Sequence, residues 1–234
     1  MEILEIQKVD LTSFCYLNKG RYPFLLESVN HNENNRYSIL FAFPGENIVL
    51  KDFSDFDFLK ELQDKSESTT LNSDLPFIGG WFVYLSYELI GQIEPTLVSK
   101  LHQSKLPIAY AVQIPSAIII DHELGKTFII DQDNNQSRIN SILSDINLIS
   151  KIPTQKIKGN QSEEVENKFI NGVKSSLDYI IAGDVFQVNL SRKWQHQLTE
   201  KTDSALIYNA LKKANPAPFS ALIQYQNFSI ISSS

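Results

Sequence analysis

Apolar residues recur at three- and four-residue steps through Val165, Phe169, Val173, Leu177, Ile180 and Ile181, which predicts a helix over 163–181. Asn160 or Ser162 can cap it, Glu163 and Glu164 suit the positive end of its dipole, and Gly183 supplies a C-terminal stop. The period then switches from helical to alternating. Phe186, Val188 and Leu190 fall on one face of a predicted strand, and Gln187, Asn189 and Ser191 on the other. A second helix is expected from about Asp203 to Ala214, stopped by Asn215-Pro216, with a hairpin around Gln226-Asn227 after it.

The first 150 residues read mostly as strands and turns. Arg36 to Phe43 and Ile48 to Leu50 flank Pro44-Gly45-Glu46-Asn47, which predicts a hairpin. Asp55 to Asp64 carries a helical stripe of Phe56, Phe58, Leu59 and Leu62, and Asp64 to Asp74 is a polar surface loop. In Pro76 to Tyr87 a Gly79-Gly80 pair enters a dense aromatic strand, as positive φ or close backbone approach would require. Ile108 to Ile120 and Lys126 to Asp131 are strand candidates joined through His122 to Gly125, and Asn134 to Ser150 is a helix. The polar stretch 151–162 separates an N-terminal domain, 1–150, from a second domain, 163–234. The fold class is α+β, mostly antiparallel sheets with flanking helices.

Charge and composition narrow the function. The chain has 234 residues, is 42% hydrophobic and carries a net charge of −6 without a basic block, which argues against nucleic acid and anionic membranes as partners. No apolar run reaches the roughly 18 residues that span a bilayer. One cysteine, Cys15, permits no internal disulfide, and a cytoplasmic location is expected. His31, His102, His122 and His196 sit at no metal-binding spacing from one another, so no metal site is expected within the chain. Glycine-rich nucleotide loops and the nucleophile-elbow motif are absent.

Four segments together resemble component I of the chorismate-amidating synthases. They are Leu25-Leu26-Glu27-Ser28 with Arg36-Tyr37-Ser38; Gly79-Gly80 with Tyr84, Ser86, Tyr87 and Glu88, where Val83 replaces the usual Gly; Ile181 to Ser191; and Asn215-Pro216-Ala217-Pro218-Phe219. Their order and spacing also agree. Q-V-N-L-S with N-P-A-P-F is more similar to the aminodeoxychorismate synthase branch, which serves p-aminobenzoate and folate synthesis, than to the anthranilate synthase branch of tryptophan synthesis. A chain that binds tryptophan or an amidotransferase without catalysis is the alternative of another class.

The resemblance implies an anthranilate synthase component I-like fold, incomplete at its C-terminus. It implies a subunit that aminates chorismate with Mg²⁺, using ammonia from a glutamine amidotransferase component II. The Mg²⁺ ligands would lie beyond residue 234, leaving the isolated chain inactive. Relatives that add water instead of ammonia resemble one another in carrying a lysine where this chain has Gln187. A neutral amide is no general base near pH 7, so Gln187 points to an amine nucleophile. Gln187 is therefore the candidate for the catalytic cleft, with Asn189 and Ser191 as substrate-binding neighbours. A tryptophan pocket is implied at Leu26, Glu27, Ser28, Arg36, Tyr37, Asn215, Pro216 and Phe219, where Glu27 can pair with an ammonium and Phe219 can pack on an indole.

Overall fold

The computed structural model describes residues 1–29, 35–66, 73–100 and 106–234. His31, His102 and most of the expected polar loop at 64–74 lie outside them. The described chain divides into two units, residues 1–154 with 204–234, and residues 155–203. The sequence reading kept 163–234 together. Strand pairing divides it otherwise, because the last hairpin joins the N-terminal sheet.

In the larger unit the elements are β1 (Glu2–Ile6), α1 (Leu11–Leu17), β2 (Phe24–Glu27), β3 (Tyr37–Ala42), β4 (Asn47–Leu50), α2 (Phe58–Lys65), β5 (Gly80–Leu85), α3 (Ile90–Ile93), β6 (Ala109–Ile114), β7 (Ser116–Asp121), β8 (Lys126–Asp131) and α4 (Gln136–Leu148). The smaller unit carries β9 (Gly159–Glu163), α5 (Glu166–Ala182) and β10 (Trp194–Leu198). The larger unit resumes with α6 (Ser204–Ala214), β11 (Ser220–Tyr225) and β12 (Phe228–Ser233). One sheet runs β1-β8-β7-β3-β2-β11-β12 and a second runs β4-β6-β5, with every pairing antiparallel. The α+β expectation is met.

Alternation along the strands explains the layers. Leu25, Leu40, Ile118, Ile120, Ile129 and Leu222 face one way, onto Phe14 of α1, Ile139 and Ile142 of α4, and Tyr208 of α6. Phe24 and Phe41 face the other way, onto Phe82 and Tyr110 of the small sheet. Phe24 stacks on Phe82 with ring centroids 4.1 Å apart. The outer face of the small sheet is covered by α2, whose Phe58 is fully buried.

Two predicted pairings are corrected. β3 and β4 form no hairpin, because β3 already has β2 and β7 on its two edges. Phe43, at φ 57°, turns the chain out of the large sheet, and β4 pairs with β6. Likewise 108–120 is two strands. Pro115 cannot donate to a ladder, and the apolar run changes sheet there, from β6 to β7. The hairpins β7–β8 and β11–β12 form as expected, with Gly125 at φ 66° and Gln226 at φ 46° in their turns.

Gly79 is required by its surroundings. Its φ is +125°, and a Cβ there would sit 2.1 Å from Gln132 Oε1 and 2.8 Å from Gln132 Cβ. Gly79→Ala is expected to cost about 2 kcal/mol in urea unfolding. A midpoint equal to the parent's would show that this approach is not fixed in solution.

In the smaller unit, α5 ends at Gly183 (φ 81°) as its sequence requires, but its start differs. Residues 159–163 form β9, paired antiparallel with β10, and the helix begins at Glu166 without a side-chain cap. β9 is wholly polar, and β10 carries only Trp194 and Leu198 as apolar residues on one face, a weak signal for a strand. The alternating stretch after Gly183 is irregular, not a strand. It pairs with no strand among the described residues, and alternation yields a strand only where a neighbour satisfies its amides. Leu190 packs beside Gly172 of α5, whereas Phe186 is 94% exposed.

Candidate functional site

Glu27 ends β2 on the helix-covered side of the large sheet. Tyr208 and Lys212 stand one turn apart on α6, so both reach it. The Tyr208 hydroxyl donates to Glu27 Oε2 at 2.7 Å, and Lys212 Nζ lies 3.2 Å and 3.1 Å from the two carboxylate oxygens. Lys212 also donates to Thr12 Oγ1 at 2.6 Å and lies 3.6 Å from Asp10, the N-cap of α1. The Lys212 and Glu27 side chains are only 14% and 15% exposed, so this ion pair is largely out of water. Burial, reinforced by the Glu27 charge, pushes the Tyr208 phenol far above its ordinary pKa and keeps it a hydrogen-bond donor. Burial raises the Cys15 thiol in the same way, which leaves it unreactive and structural.

A cleft of about 500 Å³ opens beside this cluster. Asp10, Glu27, Ser28, Lys8, His122, Lys212 and Lys213 supply its polar lining. The Ser28 amide donates to Ser38 Oγ at 3.0 Å and the Ser28 hydroxyl donates to the Tyr37 carbonyl at 2.9 Å. Ser38 Oγ is in turn 2.8 Å from His122 Nε2. The N-P-A-P-F segment meets the same strand. β11 pairs with β2 in the register Ser220↔Glu27 and Ala221↔Leu26, and the Val29 amide donates to the Ala217 carbonyl at 3.1 Å. Two segments almost two hundred residues apart in sequence are thus held side by side by backbone hydrogen bonds.

Of the residues expected around tryptophan, only Glu27 and Ser28 line this cleft. Leu26 points to the other face of the strand and is 40% exposed, as alternation demands. Arg36 is held by Asp121, with Nη2 2.7 Å from Oδ2 and Nε 3.1 Å from both oxygens, and stacks 4.9 Å from the Tyr37 ring centroid. The Tyr37 hydroxyl donates to the Asp74 carbonyl. Asn215 donates to Ser233 Oγ, and Pro216 and Phe219 are exposed. Sequence reasoning missed Lys212, the residue that neutralises Glu27. Its spacing from Tyr208 on the inner side of α6 was the available signal.

Gln187, Asn189 and Ser191 lie in the smaller unit, exposed, on the irregular segment after Gly183. Among the described residues no three His, Cys, Asp or Glu side chains converge into a donor set. The described residues by themselves therefore do not fit Mg²⁺. No helix of the described residues is long and apolar enough to cross a membrane.

The sequence profile of the chorismate binding enzymes matches residues 21–234. The chain belongs to that family. Among curated members it is 27% identical over 215 residues to an anthranilate synthase component I-like protein of Synechocystis, covering 88% of this chain and 43% of that protein. It is 26% identical over 244 residues to anthranilate synthase component 1 of Lactococcus lactis, covering 92% and 52%. It is 27% identical over 238 residues to aminodeoxychorismate synthase component 1 of Bacillus subtilis, covering 90% and 50%. The chain thus spans about half the length of the curated relatives it matches. The crystal structure of anthranilate synthase component I from Streptococcus pneumoniae superimposes with a TM-score of 0.66 at 20% identity, over 89% of this chain and 52% of that one, and shares the fold.

Proposed function

We propose that this chain is the N-terminal part of component I of an aminodeoxychorismate synthase, acting in the cytoplasm. The complete subunit would replace the ring hydroxyl of chorismate with ammonia delivered by a glutamine amidotransferase component II. The observation that carries the reading is the side-by-side pairing of L-L-E-S in β2 with the strand that follows N-P-A-P-F. Within these residues, the Gln187 amide would orient chorismate or ammonia by hydrogen bonding without taking a proton. Q-V-N-L-S and N-P-A-P-F support this branch over anthranilate synthesis. Mg²⁺ belongs to the same reading, for the complete subunit only.

Complementation separates the branches. The polypeptide that carries this chain is expected to relieve a p-aminobenzoate requirement in cells lacking component I of that pathway. Rescue of a tryptophan requirement alone would assign the anthranilate branch.

The cleft beside Glu27 favours a second role, binding tryptophan, because the larger unit forms it by itself. The Ser28 hydroxyl already donates to Tyr37, so its remaining lone pairs can accept from the ligand's ammonium, while Lys213 or Lys8 meets the carboxylate. Calorimetry is expected to detect tryptophan binding, and Ser28→Ala to weaken it by roughly fivefold, the loss of about one hydrogen bond. Identical heats for both proteins would remove the pocket.

A further inference from the structure

The cleft beside Glu27 contains an ammonium group of its own. Lys212 Nζ lies 3.2 Å and 3.1 Å from the two Glu27 oxygens, and the Tyr208 hydroxyl donates to Oε2 as well. The carboxylate that a ligand's ammonium needs is therefore already answered from within the chain.

Lys212 also has a second carboxylate within reach. Its Nζ lies 3.6 Å from Asp10 Oδ1 and donates to Thr12 Oγ1 at 2.6 Å. A shift of about 1 Å toward Asp10 would complete a charge-assisted hydrogen bond there. Asp10, Glu27 and Lys212 all line the cleft.

The two carboxylates differ in what they demand. The Glu27 side chain is 15% exposed, so its charge needs a cation beside it at all times. The Asp10 side chain is 49% exposed, and water answers it whether or not a lysine is near. Exchange of one ammonium for another at Glu27 keeps the buried charge paired, and Asp10 receives the one that leaves.

We propose that Lys212 is a tethered plug in an ammonium subsite: a ligand carrying a primary ammonium binds at Glu27 by exchange, and Lys212 passes to Asp10. The identity of that ligand as an amino acid rests on the tryptophan reading above; the exchange itself rests on Glu27, Lys212 and Asp10. Because the plug is tethered, it competes at a high effective concentration and lowers the affinity of any free ammonium. Lys212 thereby sets how tightly the cleft holds its ligand.

Thermal unfolding of the intact chain in ethylammonium chloride tests the exchange. Tetramethylammonium chloride is the control, a cation of equal charge that donates no hydrogen bond. Lys212→Ala in about 0.1 M ethylammonium should regain about 4 °C of its lost midpoint, as a Kd of about 10 mM would give. Lys212→Met, which keeps the aliphatic stem, should respond in the same way. The parent and the Glu27→Gln, Lys212→Met double variant should not respond. In calorimetry, tryptophan should bind Lys212→Met about tenfold more tightly than the parent. It should bind Asp10→Asn about fivefold more weakly, because asparagine still caps α1 but offers the displaced ammonium no charge. Rescue by ethylammonium with no tryptophan bound to any of these proteins would keep the subsite and remove only the tryptophan reading. Midpoints of both lysine variants that the two salts shift alike would overturn the proposal and leave Lys212 a structural partner of Glu27, whether or not tryptophan binds. An equal, measurable tryptophan affinity in the parent and Lys212→Met would overturn it too.

Discussion

Lys212→Ala is expected to destabilise the larger unit by about 3 kcal/mol, because it strands the Glu27 carboxylate between a helix and a sheet with only the Tyr208 hydroxyl to answer it. Thermal unfolding followed by circular dichroism should show the midpoint falling by about 10 °C for a domain of this size. The loss is the cost of an unanswered buried charge more than the worth of the pair. A double variant, Glu27→Gln with Lys212→Met, should therefore recover at least half of it. A midpoint within a degree of the parent's for Lys212→Ala would mean that water reaches Glu27 freely. The cleft beside it would then have no fixed polar wall.

Asp131→Ala should be comparably damaging, at about 3 kcal/mol, for a different reason. This fully buried carboxylate closes β8 and organises the turn into α4. It accepts from Ser116 Oγ at 2.6 Å, from Arg138 Nε at 2.7 Å and from the amides of Asp133 and Asn135 at 3.0 Å and 2.9 Å. Burial alone would raise its pKa. Arg138 and the surrounding donors outweigh that and hold it at about 2. Because the folded value lies below the unfolded one near 3.8, the stabilisation is complete above that pH and is lost as pH falls toward 2. The difference amounts to about 2 kcal/mol. Urea midpoints measured from pH 6 down to pH 2.5 should fall more steeply for the parent than for Asp131→Ala. Parallel slopes would assign the acid sensitivity to other carboxylates.

Helices were largely legible in the sequence because a helix satisfies its backbone locally. α5, α6, α4 and α2 each carry an apolar stripe, and Asp57, Asn135 and Gly183 act as the caps or stops that such residues favour. The hairpins β7–β8 and β11–β12 were legible for a similar reason, since a short turn fixes both strands. The candidate site was legible only in part. Motif order singled out Glu27, Ser28 and the N-P-A-P-F segment, and the register of β2 with β11 makes them neighbours. Arg36, by contrast, is spoken for by Asp121 on the strand next to its own, which no one-dimensional pattern records.

The sequence by itself determined which segments form the four longest helices and where α5 stops, which strand faces are apolar, and that the chain belongs among α+β proteins with component I motifs. Only the tertiary structure decided which strands pair. Pro44 to Asn47 reads as a hairpin turn until β2 and β7 occupy both edges of β3, and 108–120 reads as one strand until Pro115 passes it between sheets. The alternation of 185–191 pairs with no strand among the described residues, whereas β9 and β10 find each other. A strand's hydrogen bonds lie on another strand, so its existence is a property of two distant segments together. The same holds for Glu27, whose charge is answered by a lysine 185 positions away.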